Sequence, residues 1–309
     1  MGTSPKILLT YFSPHPLTLS SPHPLTEMLP PPIVLDPWLK LWLREDIGRG
    51  DRTTQGLSLH NTGEATWIAK ESGIIAGLPI AGRVFQLLSD RSEFTPLVQE
   101  GDRVQSGQVI INIKAPLDVL LMGERVALNL AMRLSGIATL TRQYTEMIAD
   151  LPTQLVDTRK TTPGLRILEK YATQMGGAIN HRLGLDDAVM IKDNHIQADG
   201  SIQTAITQIR QRMPYPLTIE VETTNLLEVE EALNYGADII MLDNMELGLI
   251  KQAVAIIRNS NPRVKIEASG NITLATIRAV AETGVDYISS SAPITRSPWL
   301  DLSMRISSK

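Results

Sequence analysis

The spacing of hydrophobic and polar residues changes along the chain and predicts two kinds of structure. Between residues 65 and 114, short apolar runs at 65–69, 94–98 and 109–113 are separated by glycine turns, and a helical period covers 80–88. Short strands with a single helix are typical of a small mixed unit. The first half of the chain therefore predicts an α+β module.

The second half shows a regular alternation of strand and helix, which follows a long helical period at 120–149. Six short apolar runs, each ending in polar residues, lie at 155–156, 188–191, 217–221, 239–242, 264–266 and 287–288. Helical segments follow at 204–212, 226–235, 247–259 and 274–283. Strands that are apolar on both faces and alternate with helices form parallel sheets. Six such units predict an α/β barrel, either closed or incomplete.

The polar residues that follow these strands indicate where the barrel would act. Functional side chains of α/β barrels lie at the carboxyl ends of the strands. The residues predicted at those ends are charged or carry a hydroxyl group: Arg159, Lys160, Lys192, Glu222, Asp243 and Ser269. Packing does not explain charged or hydroxyl-bearing residues at so many strand ends, so we expect a functional site at the carboxyl ends of the barrel strands.

Cations predominate among these residues. Arg159, Lys160 and Lys192 follow two strands, and His181 and Arg182 lie in the glycine-rich connection between them. Any one of them is more often a solvated surface charge. Together they predict a site for a polyanion, because arginine matches the geometry of carboxylates and phosphates and lysine adds point charge.

Two acidic residues follow neighbouring strands at the same end of the predicted barrel. Glu222 and Asp243 offer oxygen ligands next to the cations, a setting that suits Mg²⁺. Alternatively, they balance the lysines as ion pairs, and both roles are compatible. Residues 269–271 and 289–291 add hydroxyl and backbone N–H groups suited to a terminal phosphate.

Composition excludes several classes of protein. The chain has 309 residues and no cysteine, which rules out disulfides and thiol catalysis. Its net charge of −4 argues against a broad nucleic-acid surface, and no apolar run approaches the ~20 residues of a membrane span. We expect a soluble, cytoplasmic protein that binds neither nucleic acid nor membrane.

The N-terminal residues differ from the rest of the chain. A proline-rich segment, SPHPLT, occurs at 13–18 and again at 21–26. Because proline at this density prevents helices and sheet ladders, residues 1–34 are predicted to be a disordered tail, with Met28 as an alternative start.

Four segments resemble the signatures of the quinolinate phosphoribosyltransferase family. They are DTRKTTPGLR at 157–166, NHRLGL at 180–185, IKDNH at 191–195 and MLDN at 241–244. The resemblance extends from about residue 38 to residue 304 and includes ERVALN at 124–129 and SGIAT at 135–139.

This resemblance implies an N-terminal open α+β sandwich over 35–130, to which 296–309 returns, and a C-terminal incomplete α/β barrel over 131–295, the type II phosphoribosyltransferase fold. It implies transfer of a phosphoribosyl group from phosphoribosyl pyrophosphate to quinolinate with decarboxylation. The products would be nicotinic acid mononucleotide, pyrophosphate and CO₂, in de novo NAD biosynthesis. It also implies a homodimer with shared active sites. Assembly of such dimers into hexamers is left open.

The resemblance assigns roles to residues of this chain. The catalytic residues would be Lys160, Lys192, Glu222 and Asp243, of which the two acids would hold Mg²⁺. Arg125 would reach a quinolinate carboxylate across the dimer interface. The other substrate-binding residues would be Thr158, Arg159, Lys160, His181, Arg182, Lys192, Ser269, Gly270, Asn271, Ser290, Ser291 and Ala292. Ser291 departs from the family pattern, which usually has glycine there.

Three other functions are compatible with parts of this pattern. A barrel lyase or aldolase would use Lys192 as a Schiff-base amine. A phosphoribosyltransferase of the same fold would act on another base, such as nicotinate. A non-catalytic binding protein would use the barrel as a scaffold. The combination of Arg125, Arg159, His181 and Arg182 favours a dicarboxylate substrate.

Overall fold

The structure is a computed structural model that describes residues 29–57, 59 and 61–307. Both proline-rich repeats and Met28 lie outside the described residues. The first helix, α1 (Pro32–Ile47), begins inside the predicted tail, so the prediction of disorder is wrong for residues 32–34. Proline is favourable in the first helical turn, because its missing N–H has no partner there and its φ already suits a helix.

The N-terminal module places two helices on a four-stranded antiparallel sheet. Its elements are α1, α2 (Arg52–Leu57), β1 (Thr62–Ala69), β2 (Gly73–Ile74), α3 (Leu78–Leu88), β3 (Glu93–Pro96), β4 (Arg103–Val104) and β5 (Val109–Pro116). Strands β2 and β4 pair with each other as a separate two-stranded sheet. The alternation along β1 buries Ala65, Trp67 and Ala69 on one face. Helix α3 and the following helix α4 (Leu117–Glu146) cover this face and complete the core.

Helix α2 was not predicted, because residues 45–54 have the composition of a charged, glycine-rich turn. Within residues 45–54, only the connection between α1 and α2, residues 48–51, is irregular. The carboxylate of Asp51 accepts the backbone N–H of Thr53 at 3.0 Å, which satisfies a free donor at the start of α2. A single capping residue thus starts a helix where composition indicates a loop.

Helix α4 joins the two halves of the molecule. It has 30 residues; most of its buried side chains pack in the first core, whereas Tyr144 belongs to the core of the barrel. The proposed domain division at 130/131 falls inside this helix. A continuous helix contributes to both cores, so no linker marks the boundary in the sequence.

The second half forms a six-stranded parallel sheet. Its elements are β6 (Gln154–Val156), α5 (Arg166–Met175), β7 (Val189–Ile191), α6 (Asp193–Asp199), α7 (Ile202–Arg212), β8 (Ile219–Thr223), α8 (Leu226–Asn234), β9 (Ile239–Asp243), α9 (Leu247–Ser260), β10 (Lys265–Ser269), α10 (Ile277–Ala281), β11 (Tyr287–Ser289) and α11 (Ala292–Thr295). All six predicted strands are present, and α10 is shorter than the helix predicted at 274–283.

The order of the strands in the sheet is β6-β11-β10-β9-β8-β7. Strands β6 and β7, which come first in this sheet along the chain, therefore lie at its opposite edges. The sheet is an incomplete barrel that is open between these two strands. The connection across this opening pairs with β6 only through a bridge from Ile179 to Val156. This connection carries His181 and Arg182, so the opening places both residues at the mouth of the barrel.

The last strand, β12 (Leu302–Ile306), returns to the N-terminal module and pairs antiparallel with β1. It forms the edge of the sheet β12-β1-β5-β3. Among the described helices, α4 included, none is both long enough and apolar enough to cross a membrane.

Candidate active site

A cavity of about 790 Å³ lies at the carboxyl ends of the barrel strands. It brings together the residues that were predicted at these ends. The predicted site residues that line it are Thr158, Arg159, Lys160, His181, Arg182, Lys192, Glu222, Asp243, Ser269, Gly270, Asn271, Ser290, Ser291 and Ala292. Of the predicted set, only Arg125 lies elsewhere.

Cations form one wall of the cavity. Arg159 and Lys160 follow β6, and the hydroxyl of Thr158 accepts the backbone N–H of Lys160 at 3.0 Å, which shapes this turn. The guanidinium of Arg182 donates to the carbonyl of Ala188 at 2.9 Å. Burial, together with the positive charge of Arg159, lowers the pKa of Arg182. A partly desolvated arginine next to a second cation favours the binding of an anion.

Lys192 reaches the acidic side of the cavity. Its ammonium group donates to Glu222 at 2.7 Å, and the lysine side chain remains 40% exposed. A Schiff-base lysine needs an amine that is free to attack a carbonyl carbon, and here the amine is held by a carboxylate. The contact therefore argues against the lyase hypothesis.

Glu222 and Asp243 lie at the ends of the neighbouring strands β8 and β9, and both face the cavity. The amide of Asn244 donates to Asp243 at 2.7 Å and orients that carboxylate. Two carboxylates on adjacent strand ends, open to a polar cavity, fit the oxygen ligands and retained waters that Mg²⁺ prefers.

His181 contacts two buried glutamates that sequence reasoning missed. Its Nε2 is 3.0 Å from Glu220 and 3.6 Å from Glu267. The backbone N–H of Arg182 donates to His181 Nδ1 at 2.8 Å, so the neutral ring carries its proton on Nε2. Burial alone lowers the pKa of His181, but the hydrogen bond to Glu220 and the charge of Glu267 outweigh burial and raise it.

Glu267 lies inside β10 and is almost completely buried. Burial, and then the negative charge of Glu220, raise the pKa of Glu267 to about 7. The ligand atoms of His181, Glu220 and Glu267 are close enough to hold a metal ion. The nearby positive charge of Lys170, which is buried next to His181, opposes a further cation at this cluster.

The opposite wall is formed by the ends of β10 and β11. Gly270 has a φ of +99°, and a Cβ there would lie 2.9 Å from the backbone nitrogen of Asn244. The amide of Asn271 donates to the side-chain oxygen of Asn244 at 3.1 Å. The turns after β9 and β10 are thus interlocked, and glycine is required at position 270 for their close approach.

Ser290 and Ser291 shape the turn after β11. The hydroxyl of Ser290 accepts the backbone N–H of Ala292 at 3.2 Å. Ser291 has φ −86° and ψ −16°, an ordinary right-handed conformation. The serine in place of the family's usual glycine therefore introduces no backbone strain.

Arg125 lines a second cavity of about 590 Å³, which lies between helices α1 and α4 on one side and the start of α5 on the other. Trp42, Arg133 and Trp299 share this cavity. Within one chain, Arg125 therefore does not line the cavity that holds the other predicted residues.

Comparison with known proteins gives the same result for both halves of the chain. Residues 51–135 match the model of the quinolinate phosphoribosyl transferase N-terminal domain, and residues 137–305 match that of the C-terminal domain. A probable nicotinate-nucleotide pyrophosphorylase [carboxylating] from Synechocystis is 64% identical over 89% of this chain and 93% of its own. Quinolinate phosphoribosyltransferase [decarboxylating] 2b of Nicotiana tabacum is 39% identical over 87% of this chain and 81% of its own.

Solved structures agree with these matches. NadC from Streptococcus pyogenes has a TM-score of 0.85 at 43% identity and covers 89% of this chain and 97% of its own. The nicotinate-nucleotide pyrophosphorylase of Francisella tularensis has a TM-score of 0.85 at 38% identity, covering 90% and 98%. The chain belongs to the quinolinate phosphoribosyltransferase family.

Proposed function

We propose that this protein transfers the phosphoribosyl group of phosphoribosyl pyrophosphate to quinolinate and releases nicotinic acid mononucleotide, pyrophosphate and CO₂, a step of de novo NAD biosynthesis. One observation supports this most directly. A single cavity holds a cationic wall, a pair of carboxylates and two turns, at 269–271 and 290–292, that carry hydroxyl and backbone N–H groups. A pyridine diacid and a phosphorylated sugar together need these three surfaces.

Recognition of the diacid depends on the cationic wall. Arg159 and Arg182 would pair with the carboxylates of quinolinate, since guanidinium groups bind carboxylates through two parallel hydrogen bonds. His181 and Lys192 would lie next to the 2-carboxylate. The turns at 269–271 and 290–292 would hold the 5-phosphate of the sugar through backbone N–H and hydroxyl groups.

The two bound substrates would react by displacement. The pyridine nitrogen attacks C1 of the ribose, the bond from C1 to the pyrophosphate oxygen breaks, and pyrophosphate leaves. Positioning lowers the barrier by fixing both reactants, and Lys160 stabilises charge that develops on the leaving group. Mg²⁺, held by Glu222 and Asp243, would neutralise further charge on the pyrophosphate.

Decarboxylation would follow from the same geometry. Once its nitrogen is bonded to ribose, the ring is a pyridinium cation that can accept electron density. The bond from C2 to the carboxylate breaks, CO₂ leaves, and the electron pair on C2 then takes up a proton. Arg182 and the Arg125 of a second copy would hold the ring still during this step.

The position of Arg125 favours a homodimer with shared sites. Helix α1, next to the Arg125 cavity, exposes Ile33, Trp38 and Leu41. An exposed apolar face on one helix is expected where a second subunit packs. We propose that a second copy covers this face and delivers Arg125 to the main cavity. We also propose that the protein acts in the cytoplasm, a reducing compartment that a cysteine-free chain permits.

A direct assay tests the activity. Purified protein is incubated with phosphoribosyl pyrophosphate, Mg²⁺ and either quinolinate or nicotinate, and nicotinic acid mononucleotide is measured. We expect product from quinolinate only, and none when Mg²⁺ is chelated. Product from nicotinate only would contradict the diacid site, and product from neither would contradict the proposed activity.

A further inference from the structure

Helix α5 carries a lysine that is completely buried. The side chain of Lys170 is 1% exposed, and its ammonium group has one oxygen for each of its three protons. It donates to Asp157 at 2.5 Å, to the backbone carbonyl of His181 at 2.7 Å and to that of Arg182 at 3.1 Å. Two of its three bonds therefore go to the backbone of cavity-lining residues.

The partner carboxylate makes a matching set of contacts. Asp157 is 1% exposed, and one of its oxygens also accepts the backbone N–H of His181 at 3.0 Å. The other oxygen accepts from Asn180 at 2.6 Å and from Thr173 at 2.9 Å. Lys170 and Asp157 thus hold three consecutive residues, 180–182, on a segment that has almost no sheet pairing.

Burying an ion pair costs desolvation free energy, and apolar side chains of similar volume often stabilise a protein as well or better. This pair therefore needs an explanation other than stability. The segment 180–182 crosses the opening of the incomplete barrel, where strand pairing cannot fix it. Backbone positions there decide where the side chains of His181 and Arg182 point.

We propose that Lys170 and Asp157 are positioning residues for recognition of the substrate's two carboxylates. They fix the backbone of residues 180–182, so that His181 and Arg182 face the cavity before substrate arrives. Lys170 does not line the cavity, and its ammonium group is occupied by its three oxygens. Asp157 borders the cavity, but both of its carboxylate oxygens are occupied by protein donors. The inference rests on the proposed function, because it assigns this pair to the quinolinate side of the site.

The test is steady-state kinetics of Lys170→Met, which keeps the length of the side chain and removes its three hydrogen bonds. The KM for quinolinate should rise roughly 10- to 100-fold, as expected when binding groups are misplaced. The KM for phosphoribosyl pyrophosphate should change less than about twofold, because residues 269–271 and 290–292 do not contact Lys170. Equal changes in both constants would overturn the proposal.

Arg258→Met is a matched control at the opposite end of the barrel. Arg258 also binds one aspartate, Asp286 at 2.6 Å, and two backbone carbonyls, those of Val264 at 2.9 Å and Gly284 at 3.4 Å. Its loss should lower the melting temperature without changing either KM. A rise in the quinolinate KM of this variant would show that general loosening of the barrel is sufficient, and would overturn the proposal.

The double variant Asp157→Asn, Lys170→Met separates position from stability. Lys170→Met leaves an unpaired buried carboxylate, and the second substitution removes that charge. The melting temperature should recover towards the wild-type value, while the quinolinate KM should stay high. Recovery of both would overturn the proposal. Wild-type protein that does not turn over quinolinate would instead contradict the proposed function, and the two failures are therefore distinguishable.

Discussion

Gly270 stands at the closest approach of two turns in the site, and its φ of +99° is available to glycine at little cost. Gly270→Ala should raise the KM for phosphoribosyl pyrophosphate roughly tenfold or more, because the new methyl group would collide with Asn244 and shift the turn at 269–271, which is proposed to hold phosphate. Steady-state kinetics with both substrates measures this effect.

Gly236→Ala is the control for backbone strain. Gly236 has a φ of +83°, and a Cβ there would have no neighbour within 4 Å. Both variants lose about 1–2 kcal/mol of stability through the left-handed conformation. Only Gly270→Ala should affect catalysis, and equal kinetics in the two variants would contradict the steric explanation.

Glu267 makes the stability of the protein depend on pH. Its pKa rises from 4.5 to about 7 on folding, so the folded state retains this proton when the unfolded state has already lost it. The contribution is fully present below about pH 4.5 and is lost as the pH rises through 7.

Glu267→Gln should remove this dependence, since its side chain is neutral at every pH. Urea unfolding between pH 5 and pH 8 measures it: the variant should gain stability relative to wild type as the pH rises. Glu71→Gln, at an exposed surface position, serves as the control and should follow the wild-type profile. Parallel profiles for wild type and Glu267→Gln would contradict the assignment.

Sequence reasoning found the side chains at the strand ends but not those inside the strands. Lys192, Glu222 and Asp243 follow apolar runs, and the rule for barrels identifies such positions directly. Glu220 and Glu267 lie within the strands and are buried. A charged residue inside an apolar strand is the signal that could have found them, but its partner, His181, comes from a loop that no periodicity describes.

Helix α5 connects the two modules through its buried polar side chains. The hydroxyl of Tyr171 donates to Glu100 at 2.5 Å, and Glu100 also accepts the backbone N–H groups of Gly77 and Leu78 at the start of α3. Glu169, one position before Lys170, accepts from Arg133 of α4 at 2.7 Å. One short helix therefore fixes the site on one side and the N-terminal module on the other.

Tyr171→Phe should destabilise the protein by about 1–3 kcal/mol, because a buried carboxylate loses a donor. Thermal or urea unfolding measures the loss, and the quinolinate KM should remain near the wild-type value. Tyr215→Phe alters a side chain that is 94% exposed and should change neither quantity. An unchanged stability of Tyr171→Phe would contradict the role of this contact in joining the modules.

Element boundaries show where sequence patterns lose information. The six barrel strands are predictable because each contains a short, mainly apolar run that is followed by polar residues. Helix α2 and the first turn of α1 were missed, since their starts depend on Asp51 and Pro32, single residues that are equally common in turns. Helix α5 is not among the helical segments predicted from the sequence. Helical periodicity indicates one buried face, and this helix is buried on several.

At the scale of the whole molecule, the proposed dimer with shared active sites predicts complementation between subunits. Arg125→Ala and Lys192→Ala should each reduce kcat/KM for quinolinate by roughly 100-fold or more, because each removes one contact to the bound diacid. When equal amounts of the two variants reassemble at random, about half of the dimers contain one copy of each. Each mixed dimer has one site with neither substitution, so roughly a quarter of all sites should be restored.

The control is reassembly of each variant with itself, which should restore nothing. Activity of the mixture is measured after the dissociating denaturant has been removed. A mixture no more active than its components would contradict the shared site. Near-normal activity of Arg125→Ala on its own would do so more directly.

The sequence predicts the two kinds of unit, an α+β module and an α/β barrel. It does not predict the order of the barrel strands or the way in which the two units are joined. The alternation of strands and helices gave a barrel, closed or incomplete, and the opening became visible only with the order β6-β11-β10-β9-β8-β7. Strand order depends on contacts between distant residues, which no local pattern records. The same is true of α4, whose continuous period does not show that it serves two cores.

The pairing of β12 with β1 has a consequence for how the protein is made. All six strands of the barrel lie between these two partners in the chain, so the ribosome must complete the barrel before it delivers β12. Until then, β1 presents an open edge of unpaired N–H and C=O groups, to which other nascent chains can add a strand. The module that is synthesised first is thus the last to close, and its protection against misassembly depends on the final strand.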